Sequence, residues 1–254
     1  MKILLTNDDG IYSLGLEVIH RELIKEHDIT IIAPETEMSA VGHAITLTMP
    51  LRVMEIYKEG KFYGYAIRGT PADCVKIGVQ ELMAQRPDMI ISGINLGANL
   101  GVNVLYSGTV SAATEGAFQG IPSVAISLNT RRNPDYSFAA RFAKKIISFM
   151  KEISSSNGIA LNINIPSLPP EKIRGVKITR QGMSHFEESY ERRRDPRGNI
   201  YYWLKGEKFV EDGDPNDDAT AVSEGWISIT PIHYDLTDEK EYERLTGLVS
   251  RYFK

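Results

Sequence analysis

The chain has 254 residues, enough for one large α/β domain, or a domain with an appendage, around a sizeable core. With 29 Lys and Arg against 33 Asp and Glu, its formal net charge of −4 argues against general affinity for nucleic acid, duplex included, while allowing a local basic pocket. Cys74 is the only cysteine, which excludes an intrachain disulfide and a cysteine-based metal cluster.

A lone cysteine fits a reducing compartment. The N-terminus offers Lys2 and a short apolar run ending in Asn7-Asp8-Asp9 rather than a secretory signal, so a cytoplasmic protein is expected. No apolar stretch approaches the ~18 residues needed to span a bilayer, so no membrane is expected.

The first half alternates strand and helix signals. Lys2–Thr6 reads as a buried strand, and Leu14–Glu26 as a helix with Leu16, Ile19, Leu23 and Ile24 on one face. Ile29–Ala33 is a β-branched run closed by Pro34, followed by a polar loop over Glu35–His43. Extended pieces are expected at Ala44–Met49, Arg52–Ile56 and Phe62–Ile67, with a turn at Gly60. A helix should start at Thr70, a good N-cap, with Pro71 in its first position and Asp73 in its first turn. Met89–Ser92 is a strand, Gly93–Gly108 a Gly/Asn-rich loop, Thr109–Gln119 a helix and Ser123–Ser127 a strand. This alternation predicts a doubly wound, mainly parallel sheet with crossover helices on both faces.

The second half is less regular. Phe138–Glu152 is an amphipathic helix; Leu161–Ile165 and Val176–Thr179 are strands. Gln181–Asp214 is rich in charge, aromatics and turn residues, and Tyr201–Leu204 looks like a strand that packs on something, as in a lid or an exchanged arm. A short helix at Ala219–Ser223, a strand at Trp226–Thr230 and a final helix at Glu239–Ser250 complete the chain. The expected division is a core over 1–180 and a C-terminal part over 181–254 that carries the arm, about 181–214, and completes the fold.

Ligands of doubly wound sheets bind outside the carboxyl ends of the strands. There the sequence places Asp8 and Asp9 after the first strand, Ser39 after the second and Asn95 after the Met89–Ser92 strand. Adjacent carboxylates at a sheet rim cost energy unless a cation or strong donors meet them. An isolated Asp-Asp-Gly is ordinarily a capped turn. Together with Ser39 and Asn95 it becomes an all-oxygen donor set, which suits Mg²⁺ or Mn²⁺ rather than Zn²⁺. Three segments look like anion cradles: Ser107-Gly108-Thr109, which opens a helix; the flexible Ser92–Gly101 loop; and Gly69–Asp73. No Gly-x-Gly-x-x-Gly, P-loop or Gly-x-Ser-x-Gly motif occurs.

Several motifs then carry a resemblance. Thr6-Asn7-Asp8-Asp9-Gly10, Ala33-Pro34 with Ser39–His43, Gly69–Cys74, Ser92–Asn95 with Gly97 and Asn99, and Tyr106–Thr109 resemble the SurE survival-protein family. Trp226–Pro231 with Asp235–Thr237 resembles that family's C-terminal signature, so the likeness runs through nearly the whole chain. It implies a Rossmann-like core, a C-terminal hairpin and helix arm exchanged between subunits, and a homodimer or homotetramer. It implies a phosphatase acting on nucleoside 5′- and 3′-monophosphates with one divalent cation, Mg²⁺ or Mn²⁺, per subunit. By position, the family's metal ligands fall on Asp8, Asp9, Ser39 and Asn95. Polyphosphate hydrolysis is left open by the resemblance.

The expected reaction is phosphomonoester hydrolysis by a metal-activated water, with Asp8 or Asp9 also orienting or deprotonating it. Ser107, Gly108 and Thr109 would hold the non-bridging oxygens, helped by the amides of Asn95 and Asn99. Asn7, Gly42, His43 and Tyr106 complete the candidate substrate set. His43 is either an acid for the leaving oxygen or a loop histidine bonded to a backbone carbonyl. Tyr106 either stacks on a base or simply packs. Arg192-Arg193-Arg194 reads as a solvated tip or oligomer contact, or as a phosphate contact from a neighbouring subunit. Two rivals are an aspartyl-phosphate enzyme, disfavoured by Gly10 where a second Asp would stand, and a binding module that only positions a nucleotide.

Overall fold

The computed structural model describes residues 1–130, 132–153, 158–210 and 213–253. Its architecture follows from the two-residue period of the first strand, β1 (Lys2–Thr6). Ile3 and Leu5 pack on one face with Leu16, Ile19 and Leu23 of α1 (Leu14–Leu23) and with Ala143 and Ile147 of α4 (Ser137–Ile153). Leu4 packs on the other face with Cys74 and Val75 of α2 (Pro71–Ile77) and Ala112 of α3 (Gly108–Phe118). Ile31 and Ile32 of β2 (Asp28–Pro34) and Ile90 and Ile91 of β5 (Met89–Leu96) divide between the faces in the same way. Such continuous apolar runs are what a sheet covered on both sides requires.

The main sheet has nine strands in the order β3-β4-β2-β1-β5-β6-β7-β11-β8. The remaining members are β3 (Val53–Lys58), β4 (Lys61–Ile67), β6 (Ser123–Asn129), β7 (Ala160–Pro166), β8 (Val176–Ile178) and β11 (Ile227–Ile232). Six of its pairings are parallel, and only β3 with β4 and β7 with β11 run antiparallel. The C-terminal strand therefore returns to the core sheet, between β7 and β8. Among the described residues no helix is long and apolar enough to cross a membrane.

The expected helix over Leu14–Glu26 ends at Leu23, the loop after β5 holds a short helix at Gly101–Tyr106, and two further expectations differ for reasons the contacts explain. Ala44–Met49 forms no strand, because the polar groups of its first half are bonded to the start of α2 instead of a ladder. Thr46 donates to Asp73 through its backbone N (3.0 Å) and its hydroxyl (2.7 Å), while Thr70 Oγ1 donates to Ala44 O (2.7 Å). Thr70 and Asp73 also complete the expected capping box of α2. Secondly, β5 runs four residues past Ser92. A bulge between Gly93 and Asn95 lets pairing with β6 continue to Leu96. Gly93 makes this possible: it sits at φ +134°, and a Cβ there would lie 2.3 Å from Ile126 O.

The arm is a two-stranded antiparallel hairpin of β9 (His185–Arg194) and β10 (Ile200–Val210), turning over Asp195–Asn199. Glu211 and Asp212 at its end lie outside the described residues. Tyr202, Trp203 and Leu204 are exposed. The short α5 (Asp218–Ser223) and the final α6 (Glu239–Tyr252) follow.

Candidate functional site

From β1 the chain winds outward to β2, β4 and β3, then returns to place β5 on the other side of β1. The strand order reverses there, opening a crevice at the carboxyl ends of β1 and β5. Asp8 and Asp9 follow β1, Asn95 ends β5, and α3 presents its N-terminus to Asp8.

Asp8 is 5% exposed and held by Thr109, whose hydroxyl and backbone amide both donate to it. A carboxylate in this place benefits from the positive end of α3. The contact needs a glycine at 108, since a Cβ there would lie 2.8 Å from Asp8 Cβ. Burial nevertheless outweighs the donors and raises the proton affinity of Asp8. Asp9 accepts one bond, from Leu96 N at 3.3 Å. Burial first, and the Asp8 charge second, push its pKa from 3.8 to about 7.

A third acid adds to the negative field: Glu37, in the loop after β2, raises the pKa of both carboxyls. Met38 N donates to Asp8 O at 2.7 Å, tying that loop to the pair. Ser39 lies exposed and donates its hydroxyl to Glu37 Oε1 at 2.6 Å. Among the described residues no Lys, Arg or His forms an ion pair with Asp8, Asp9 or Glu37. Clustered, partly buried carboxyls without a counter-charge form a site short of positive charge. Asn95 donates Nδ2 to Gly97 O at 2.8 Å, which leaves its Oδ1 as an oxygen donor on the same rim. No group of three or more His, Cys, Asp or Glu side chains is placed to hold a metal among the described residues. A cation here would thus rely on the carboxylate pair plus the Asn95 amide and the Ser39 hydroxyl, a hard oxygen set that fits Mg²⁺ or Mn²⁺.

The other candidate residues divide by location. Ser107 caps α3, its Oγ accepting from Val110 N at 3.1 Å, and Gly108 and Thr109 supply the first helical N–H groups. Asn7 is buried beneath the Asp8–Asp9 turn, where Nδ2 donates to Gly10 O (3.0 Å) and Ser13 Oγ (2.6 Å). Asn99 gives its Nδ2 to Ser127 Oγ (2.8 Å), inside a buried group that anchors the loop after β5. Gly42 N donates to Tyr106 O at 3.0 Å, clipping the loop after β2 onto the short helix Gly101–Tyr106. The Tyr106 side chain is exposed at that rim. His43 bonds side chains rather than a backbone carbonyl: Nε2 is 3.0 Å from Glu115 Oε2 and Nδ1 is 3.3 Å from Thr114 Oγ1. The three arginines lie at the tip end of β9, with Arg193 paired to Glu191 and Arg194 donating to Gly198 O.

Sequence reasoning missed Glu37, Glu115 and two buried asparagines. Glu115 binds His43, Gln119 (3.0 Å) and Lys76 (3.4 Å). Burial alone would raise its pKa, but these partners hold it below the usual carboxylate range. Asn162 and Asn164 donate to Asn99 O at 2.8 and 3.0 Å, and Asn164 Oδ1 accepts from Asn99 N at 2.8 Å. Their signal was legible: two asparagines at strand spacing among Leu161, Ile163 and Ile165 mark a polar face with something to hold.

Comparison with known proteins gives a consistent result. The family model described as "Survival protein SurE" matches residues 3–188. The chain is 54% identical over 248 residues to the 5′-nucleotidase SurE of Syntrophobacter fumaroxidans, covering 98% of each. It is 55% identical over 249 residues to the 5′-nucleotidase SurE of Syntrophus aciditrophicus, covering 98% of this chain and 92% of the relative. The crystal structure of the SurE protein from Aquifex aeolicus superposes with a TM-score of 0.84 at 38% identity, over 98% of this chain and 99% of that one.

Proposed function

The chain belongs to the SurE family, and from that membership we propose that it hydrolyses nucleoside 5′-monophosphates, and 3′-monophosphates as well, to nucleoside and phosphate. The observation that carries the reading is the carboxylate pair at the switch in strand order, short of positive charge and set against the N-terminus of α3. Relatives at 54 and 55% identity are named 5′-nucleotidases. One divalent cation per subunit, Mg²⁺ or Mn²⁺, would be held by Asp8, Asp9, Asn95 and Ser39. When bound, it supplies Lewis-acid polarisation of the phosphoryl group and a lowered pKa for the attacking water.

The chain's own residues do the rest. The N–H group of Gly108 and the Ser107 hydroxyl take the non-bridging oxygens as charge builds on them. Thr109 also fixes the Asp8 carboxyl through its hydroxyl. The Asp8–Asp9 pair also orients the attacking water. His43, Thr114 and Glu115 hold the loop that carries Gly42 and Ser39 against α3. The single, fully buried Cys74 suits a cytoplasmic enzyme.

The reading predicts phosphate release from AMP and GMP in the presence of Mn²⁺ or Mg²⁺, falling to the buffer rate with EDTA. A panel of 5′- and 3′-monophosphates with no release above the chelated control would favour a module that only binds nucleotides.

The same reading has the chain act as a homo-oligomer, dimer before tetramer, through the hairpin arm and α6. Tyr242, Leu245, Val249 and Tyr252 recur along one face of α6 and lie exposed. Leu245→Asp would bury an unpaired charge in that contact and weaken it at least about tenfold in dissociation constant. Sedimentation should show the variant as monomer where the wild type is larger; a wild type sedimenting as monomer contradicts the proposal.

A further inference from the structure

Beside Asn95 the crevice deepens into a cavity of about 540 Å³ that the reaction scheme leaves without a role. Its volume lies in the ordinary range for small-molecule sites. One wall is the loop after β5, from Asn95 and Leu96 to Asn103; Asn129 closes another side at the end of β6. The outer wall comes from the root of the hairpin arm, where Phe186 of β9 stands directly opposite Phe209 of β10. Their ring centroids are 5.1 Å apart with the planes tilted by 58°. Phe209 is seated on a buried cluster of Leu100, Ala219 and Val222, so this aromatic wall has a fixed footing.

Among the described residues the lining has no Asp, Glu, Lys, Arg or His. A charged occupant would meet no counter-charge among these residues. A flat, neutral group carrying hydrogen-bonding edges would instead find aromatic faces for its π-system and amide side chains for its edges. Leu96, whose backbone N holds Asp9, and Asn95 belong to both the cavity and the carboxylate rim. The cavity therefore adjoins the place where a phosphate at the Asp8–Asp9 rim would carry its alcohol.

Resting on the nucleotidase reading, we infer that this cavity is the nucleoside subsite, with the base against Phe186 and Phe209 and the amides of Asn103 and Asn129 at its polar edges. The hairpin arm then has a function within its own subunit: its root makes the specificity wall of the site. The aromatic wall favours a phosphomonoester of an aromatic alcohol over one without a ring.

The test uses the full chain with Mn²⁺. kcat and KM are measured for AMP and for glycerol 3-phosphate, which has no base, and adenosine binding is measured by calorimetry. Phe186→Ala and Phe209→Ala should raise KM for AMP about tenfold, the scale of one lost base–aromatic stack. The preference for AMP over glycerol 3-phosphate should fall by the same factor, and adenosine binding should weaken with it. Phe186→Leu keeps apolar bulk without an aromatic face; it should show the same loss of preference, and Phe186→Tyr should restore it. An unchanged KM for AMP, or an equal decline for both substrates in the Leu variant, overturns the subsite. The two readings fail separately. Adenosine binding that depends on Phe186 in a protein releasing no phosphate supports the cavity and counts against the nucleotidase; AMP hydrolysis indifferent to Phe186 does the reverse.

Discussion

Asp8→Asn leaves the protein folded and lowers phosphate release from AMP by about three orders of magnitude, the upper range for losing one charge-stabilising group in a preorganised site. The two halves of this result have separate causes. Asn is nearly the same shape as Asp, and its Oδ1 still accepts from the Thr109 hydroxyl, so the seat of residue 8 against α3 survives. In the metal-free protein the Asp8 charge is itself costly, because burial raises its proton affinity. Removing that charge should leave the melting temperature of the chelated protein unchanged or higher. Activity is lost because one of only two carboxylates available to the cation is gone. A thermal melt and a phosphate assay on the same preparation check both halves. Near-normal turnover in a folded variant at saturating Mn²⁺ would remove Asp8 from the site.

A divalent cation should stabilise the protein far more at about pH 8 than at about pH 5. Without metal, the folded-state pKa of Asp9, about 7, lies above its ordinary value of 3.8. The native state binds that proton more tightly than the unfolded chain does. The contribution of Asp9 to stability is therefore fully present below pH 3.8 and is lost as pH rises through about 7. Asp8 is shifted in the same direction. Surface carboxyls such as Glu22 and Glu191, held at about 2 by lysine and arginine partners, act in the opposite sense and only in acid. Metal competes with the proton at Asp9, so the rise in melting temperature from Mg²⁺ or Mn²⁺ should grow across the interval from 3.8 to about 7. Calorimetry with metal and with EDTA at both pH values measures it. An equal rise at both ends would mean that the cation binds elsewhere.

What was legible in the sequence is what local chemistry decides. Ile3, Leu4 and Leu5 declare a strand buried on both faces, and Thr70 with Pro71 and Asp73 declares a helix start. The positions of Asp8, Asp9, Ser39 and Asn95 at strand ends follow from the alternation of elements. What was not legible depends on contacts distant in sequence. Ala44–Met49 looks extended, yet Asp73, 27 residues beyond Thr46, takes its donors. His43 meets Glu115 across 72 residues, and nothing beside either residue announces the other. Glu37 reads as an ordinary loop acid until Ser39 and Met38 bring it to the carboxylate pair. The arm was recognised by its aromatic, charged composition, but the pairing of Phe186 with Phe209 depends on the hairpin register and on the seat that Leu100 and Val222 provide.

Nucleotide hydrolysis by this chain should depend on a divalent cation held by the carboxylate pair at the switch point. The most direct measurement is to strip the protein with EDTA, remove the chelator and return Mn²⁺ stepwise, following phosphate release from AMP together with bound metal. The stripped protein should release no phosphate, and activity should rise with bound Mn²⁺ and saturate at one ion per chain, with that ion absent from Asp8→Asn. Full activity in the stripped protein, or one tightly bound ion retained by Asp8→Asn, would contradict this.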